Sequence, residues 1–248
     1  MNRLLLMVGR NIIRVPYLYA KLCYYAKHTD EIEEEKKYKL IQYIFRRAVK
    51  SGNMDLQARG VENIPKESGF LVYSNHQGLF DILAIGAHCD QPVGAILKKE
   101  LYKIPFMTQI VDCTKSYCMD REDVRQSLEV INAVSKEVKN GRNYLIFPEG
   151  TRSKKGNEML EFHGGSFKCA TKSKVPILPI ALINSYKIFD EKGSKPVKLM
   201  VHYLPVIPYE EYKDMKASEL AVMVHDRIEA AVKAGEEELL SSRGRRTP

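Results

Sequence analysis

The stretch GFLVYSNHQGLFDILAIGA, Gly69–Ala87, places a polar seam between two apolar runs. The first run, GFLVYS, has the length and the β-branched and aromatic content of a buried strand. Asn75 and Gly78 mark a turn, and Phe80–Ala87 reads as a helix. His76 and Asp81 lie in the seam, five positions apart. On one continuous helix that spacing would set them about 140° apart, on different faces. They can meet only if His76 sits in the loop before the helix and Asp81 in its first turn. Asp81 could then accept from Nδ1–H of His76 and leave Nε2 free as a base. Equally, Asp81 could cap a helix beside a turn histidine; spacing alone leaves both readings open.

Outward from this seam, short apolar runs alternate with helical patterns. Strands are expected at Leu56–Val61, Gly69–Ser74, Val93–Leu97, Ser116–Asp120, Asn143–Pro148, Ile177–Ile183 and Val197–Leu204. Helices are expected at Phe80–Ala87, Glu122–Lys139, Ser166–Thr171 and Ser218–Ala234. Such alternation predicts an α/β fold, a mixed β-sheet layered with helices. An earlier helix runs to about Lys50, with Asp30 and Glu33 as a capping box and Gly52 as its stop. The expected organisation is an N-terminal helical segment at 1–52, an α/β domain at 53–235 and a flexible polar tail at 236–248.

Composition narrows the class. The 248 residues are 44% hydrophobic and 28% charged, as in a folded globular chain. The net charge of +8 favours an anionic partner: a phosphate-bearing substrate, a membrane surface or nucleic acid. No basic-aromatic block supports nucleic acid. The five cysteines form no C-x-x-C pair, so neither a disulfide framework nor a metal site is expected. A reduced, cytoplasmic setting follows.

Residues 1–28 contain no acidic side chain. Their uncharged runs are far short of the ~20 residues that span a bilayer. Arg3, Arg10, Arg14, Lys21 and His28 recur at spacings that fall in one stripe of a helix, with apolar residues filling the rest. A cationic stripe on an apolar helix predicts docking in a membrane interface, the basic heads snorkelling toward anionic lipid. Pro16 is expected to kink the segment or to start a second helix.

Two further clusters can carry chemistry. In LIFPEGTRSKKG, Leu145–Gly156, a buried strand stops at Pro148 and a tight turn follows. Gly150 would let backbone N–H groups approach an anion, and Arg152 offers a planar fork suited to phosphate. In the second cluster Lys98 and Lys99 end one strand and Arg121 ends another, at the sheet edge where α/β ligands bind.

Together these residues resemble the glycerophospholipid acyltransferases, and in particular the lysophosphatidate acyltransferases. NHQGLFD matches the family's N-H-x-x-x-x-D block, and FPEGTRS, about seventy residues on, matches its phosphate block. KKELYKIPF through MDR resembles the block between them, and VPILPIA the fourth. The resemblance covers roughly Leu56–Val206. It implies acyl transfer from acyl-CoA or acyl carrier protein to the sn-2 hydroxyl of 1-acylglycerol 3-phosphate. His76 would be the general base and Asp81 its orienter. Glu149, Gly150, Thr151 and Arg152, with Lys98 and Arg121, would bind the acceptor, Glu149 also shaping the loop. No metal or further cofactor is implied. The partners are a membrane lipid, a membrane surface met by residues 1–28 and, as donor, acyl carrier protein, at the cytoplasmic face of a membrane. Other acceptors, glycerol 3-phosphate or another lysophospholipid, fit the same blocks, and a non-catalytic lipid-phosphate binder would keep the fold. His163 departs from the family's usual F-K-x-G.

Overall fold

The computed structural model describes residues 3–120, 123–191 and 193–244, the last three as backbone only. Three helices lead the chain: α1 (Arg3–Gly9), α2 (Arg14–Lys27) and α3 (Glu34–Ser51). Seven strands follow: β1 (Met54–Arg59), β2 (Leu71–Ser74), β3 (Val93–Lys98), β4 (Tyr117–Met119), β5 (Asn143–Ile146), β6 (Ile177–Ile183) and β7 (Val197–Tyr203). Between and after them run α4 (Asp81–Gly86), α5 (Met107–Thr114), α6 (Val124–Lys139), α7 (Gly164–Ser173), α8 (Tyr209–Tyr212) and α9 (Ala217–Gly244).

All seven expected strands are present, in one mixed sheet ordered β1-β7-β6-β2-β5-β3-β4. Only β6 and β7 pair antiparallel. The central strands β2, β5 and β6 are buried along their whole length, which is why they read as continuous apolar runs rather than alternating ones. One face of the sheet packs Tyr73, Ile146 and Ile183 against Val134 of α6, Phe167 of α7 and Val224 of α9. The other buries Val72, Leu145 and Leu182 with Ile85 of α4 and Met7 of α1.

Three expectations change, and one helix went unread. The tail does not begin at residue 236: α9 continues to Gly244, held by Leu239, which is buried in the core. The capping box does not form. Glu33 is the N-cap of α3 and makes no side-chain cap bond, while Asp30 pairs with Lys115 at 3.1 Å. The helix α5 went unread: it starts at Met107, directly after the KKELYKIPF run, which ends at Phe106. The cationic stripe is not a free face. Arg3 is only 3% exposed and donates to the carbonyls of Gly52 at 2.8 Å and Lys195 at 3.0 Å. Arg10 donates to the Ser51 carbonyl at 3.0 Å and to Asn53 at 2.7 Å. The helix is interrupted by a turn at residues 10–13, and Pro16 falls in the first turn of α2, where its missing N–H costs nothing. Arg3 and Arg10 therefore fasten the segment to the domain. Leu5, Ile12, Ile13 and Tyr17 are left in solvent, Ile13 at 89% exposure.

Candidate active site

The site is built by strand register. Tyr73 of β2 lies opposite Ile146 of the parallel strand β5. Three residues beyond that pair, on the same sheet edge, stand His76 and Glu149. Asn75 extends the pairing on the other side. Its side chain donates to the Leu182 carbonyl at 2.9 Å and accepts from the Leu182 N–H at 2.8 Å, so the chain can leave β2 with no unpaired group against β6.

His76 does precede the helix, and Asp81 opens α4. Nδ1 of His76 and Oδ2 of Asp81 are 2.7 Å apart. The same oxygen accepts from the backbone N–H groups of Gln77 at 2.7 Å and Gly78 at 3.0 Å. Those amides can only donate, so Oδ2 is an acceptor and Nδ1 carries the hydrogen. In the neutral imidazole Nε2 then keeps its lone pair. Asp81 is fully buried, and the His76 side chain is 15% exposed, enough for a reactant to reach. The imidazole stacks on Phe147, centroids 4.2 Å apart, which sets its tilt.

The 149–153 loop grips the backbone of His76 from both sides. Oε1 of Glu149 accepts the His76 N–H at 2.7 Å, and the Ser153 N–H donates to the His76 carbonyl at 3.0 Å. Oε2 of Glu149 accepts from the Leu160 N–H at 3.1 Å. Burial pushes the Glu149 carboxyl up to about 7, against the opposing pull of these two N–H groups. Below pH 4.5 this group is protonated both folded and unfolded; between there and about 7 only the folded chain holds the proton. Rising pH across that window therefore removes stability, about 3 kcal/mol in all. Urea unfolding of the wild type against Glu149→Gln should show the wild type losing ground from pH 4.5 to 7.5. Parallel curves would contradict the assignment.

Gly150 adopts φ +68°, a left-handed conformation, and a Cβ there would come within 3.2 Å of the His163 ring. Glu149, Gly150, Thr151, His163 and Ser166 form the polar part of the wall of a cavity of about 300 Å3, and Ile96, Met119, Ile131 and Ile146 an apolar part. Phe147 belongs to the same wall, so the cavity adjoins the histidine. Arg152 lies on the turn, 3.8 Å from Asp190. Lys98 ends β3 on the same sheet edge, where its ammonium pairs with Glu100 at 3.3 Å. Arg121 lies outside the described residues. Sequence reasoning missed Phe147, which reads as strand core, and Ser185, whose hydroxyl donates to Oδ1 of Asp81 at 2.6 Å.

The site thus combines a histidine oriented by a buried carboxylate with a glycine-arginine turn and a partly apolar cavity. The Acyltransferase family profile matches residues 55–183, and the chain belongs to that family. A 1-acyl-sn-glycerol-3-phosphate acyltransferase of Helicobacter pylori is 33% identical over 166 residues, covering 63% of this chain and 70% of that one. The enzyme of the same name from Borreliella burgdorferi is 28% identical, covering 68% of each chain. The crystal structure of the lysophosphatidate acyltransferase PlsC of Thermotoga maritima superposes with a TM-score of 0.75 at 25% identity, over 94% of this chain and 96% of that one.

Proposed function

We propose that the protein acylates the sn-2 hydroxyl of 1-acylglycerol 3-phosphate, making phosphatidate, with acyl-CoA or acyl carrier protein thioester as donor. The observation that carries this reading is the His76–Asp81 pair, Nδ1 to Oδ2 at 2.7 Å, level with the Glu149–Arg152 turn. In this reading Nε2 takes the hydroxyl proton as the oxygen attacks the thioester carbonyl. The new C–O bond forms, the C–S bond breaks, and the imidazolium returns its proton to the leaving thiolate. The reaction is direct, and Asp81 stabilises the transient imidazolium. Arg152 exchanges Asp190 for the acceptor phosphate, which offers more charge and more acceptor oxygens. In this reading Thr151, Lys98 and Arg121 share the binding role with it. The relatives' names support the acceptor; glycerol 3-phosphate is the competing choice.

The test is a panel of lysophosphatidate, glycerol 3-phosphate and lysophosphatidylcholine in vesicles, each with acyl-CoA and with acyl carrier protein. Lysophosphatidate should give the highest kcat/KM, and Arg152→Ala should raise its KM about 10- to 100-fold, the worth of one charged hydrogen bond. Preference for another acceptor would overturn the substrate.

The same proposal sets the enzyme peripherally on the cytoplasmic face of the membrane, reached by the outward apolar crest of α1 and α2. Among the described residues no helix is long and apolar enough to cross a bilayer. Deleting residues 1–28 would be a poor test, because Leu18, Leu22 and Tyr25 are buried in the core. Replacing Ile12, Ile13 and Tyr17 together by Ser leaves that core intact. The variant should stop pelleting with anionic vesicles while still acylating detergent-dispersed acceptor; undiminished pelleting would remove the crest from the docking surface.

A further inference from the structure

Ser185 lies 104 residues from Asp81, in the short helical turn Ser185–Ile188 that follows β6. It is completely buried, and both of its donors are spent on the loop that carries His76. The hydroxyl donates to Oδ1 of Asp81 at 2.6 Å, and the backbone N–H donates to Oε1 of Gln77 at 2.8 Å. Gln77 in turn donates to Asn157 at 3.0 Å, and Asn157 accepts from the Asn184 N–H at 2.8 Å and donates to its side chain at 3.2 Å. This lattice joins the turn after β6, the loop of His76 and the segment that follows the Glu149–Arg152 turn.

The division of labour at Asp81 is uneven. Oδ2 holds Nδ1 of His76 and two amides, whereas Oδ1 holds the Ser185 hydroxyl. With that hydroxyl gone, Oδ1 would be a buried anionic oxygen without this donor. The carboxylate would then have to rotate toward another partner or take up a proton, and either response loosens its grip on the imidazole. We propose that Ser185 is a positioning residue of the acyl transfer, holding the Asp81 carboxylate oriented so that its other oxygen serves His76. The inference rests on the proposed role of the His76–Asp81 pair but not on the identity of the acceptor. Ser185 touches no substrate, since it is buried behind Asp81.

The test measures kcat and KM of Ser185→Ala and Ser185→Thr on whichever acceptor the wild type prefers in the panel. A hydrogen bond to a charged group is worth about 10- to 100-fold in rate, so Ser185→Ala should lose that much in kcat with both KM values unchanged. Ser185→Thr, which keeps the hydroxyl, should recover most of it. In an Asp81→Asn background, where the charge is absent, Ser185→Ala should cost under threefold. A wild-type kcat in Ser185→Ala, or an equal loss in both backgrounds, would overturn the proposal. If the Ala variant does not fold, Ser185→Cys fills the volume with a weak donor and takes its place. The proton resonance of His76 Nδ1–H, assigned by its loss in His76→Gln, supplies a readout free of substrate. It should shift in Ser185→Ala and return in Ser185→Thr. An unmoved resonance would overturn the role even if no acceptor were turned over, an outcome that would count separately against the proposed function.

Discussion

His76→Ala should lower kcat for acyl transfer by 10²–10⁴-fold or more, the usual worth of a general base, while binding of lysophosphatidate stays close to wild type. The separation of effects follows from how the residue is held. Its backbone is gripped by Glu149 and by Ser153, and neither bond involves the imidazole. Asp81 loses one of its donors but keeps the amides of Gln77 and Gly78 and the Ser185 hydroxyl, so no buried charge is stranded. The loop and the neighbouring turn should therefore survive the truncation. Isothermal titration of acceptor beside steady-state kinetics separates the two quantities. A His76→Ala enzyme with full activity would end the mechanism, and one that had lost acceptor binding would recast His76 as a binding group.

Substitutions of Asp81 should divide by chemistry. Asp81→Ala leaves two backbone amides, a hydroxyl and an imidazole N–H in a buried site without their acceptor. That should cost on the order of 3–5 kcal/mol, seen as a fall of about 10 °C in Tm. Asp81→Asn should behave differently. Its oxygen can take the place of Oδ2, because the Gln77 and Gly78 N–H groups only donate and need an acceptor there, and its NH2 can donate to Ser185. The fold and the His76 tautomer are kept, and only the charge opposite the imidazolium is lost. The expectation is a Tm within a few degrees of wild type and a kcat down about 10²–10³-fold. Equal activity in Asp81→Asn would mean that orientation alone suffices. A fall in Tm as large as that of Asp81→Ala would mean that the amide had flipped.

Much of the architecture is legible in the chain because it is a local property. Each strand is a short apolar run bounded by turn residues, and the pattern of Leu71–Ser74 or Asn143–Ile146 states burial on both faces before any partner is known. Boundaries that depend on distant packing are less legible. The end of the chain looked like a tail because SSRGRRTP is polar and punctuated by Gly and Pro, yet Leu239 finds a place in the core and carries the helix on to Gly244. The N-terminal arginines have a helical spacing that is real, but the break at residues 10–13 changes its meaning. Arg3 and Arg10 meet carbonyls at the end of α3 and beyond, and the apolar side chains take the outer surface.

The sequence by itself determined that an apolar strand gives way to a turn before the helix of Asp81, that His76 can meet Asp81 only from the loop ahead of that helix, and that Gly150 and Arg152 follow the end of a second buried strand. These follow from residue type and helical geometry within a few positions. Only the tertiary structure decided that the two pieces face each other. The pairing of Tyr73 with Ile146 sets His76 level with Glu149, and the run of β6 beside β2 delivers Ser185 to Asp81. Strand register and the partners of a buried carboxylate are settled by packing between segments about seventy to a hundred residues apart, which no local pattern encodes.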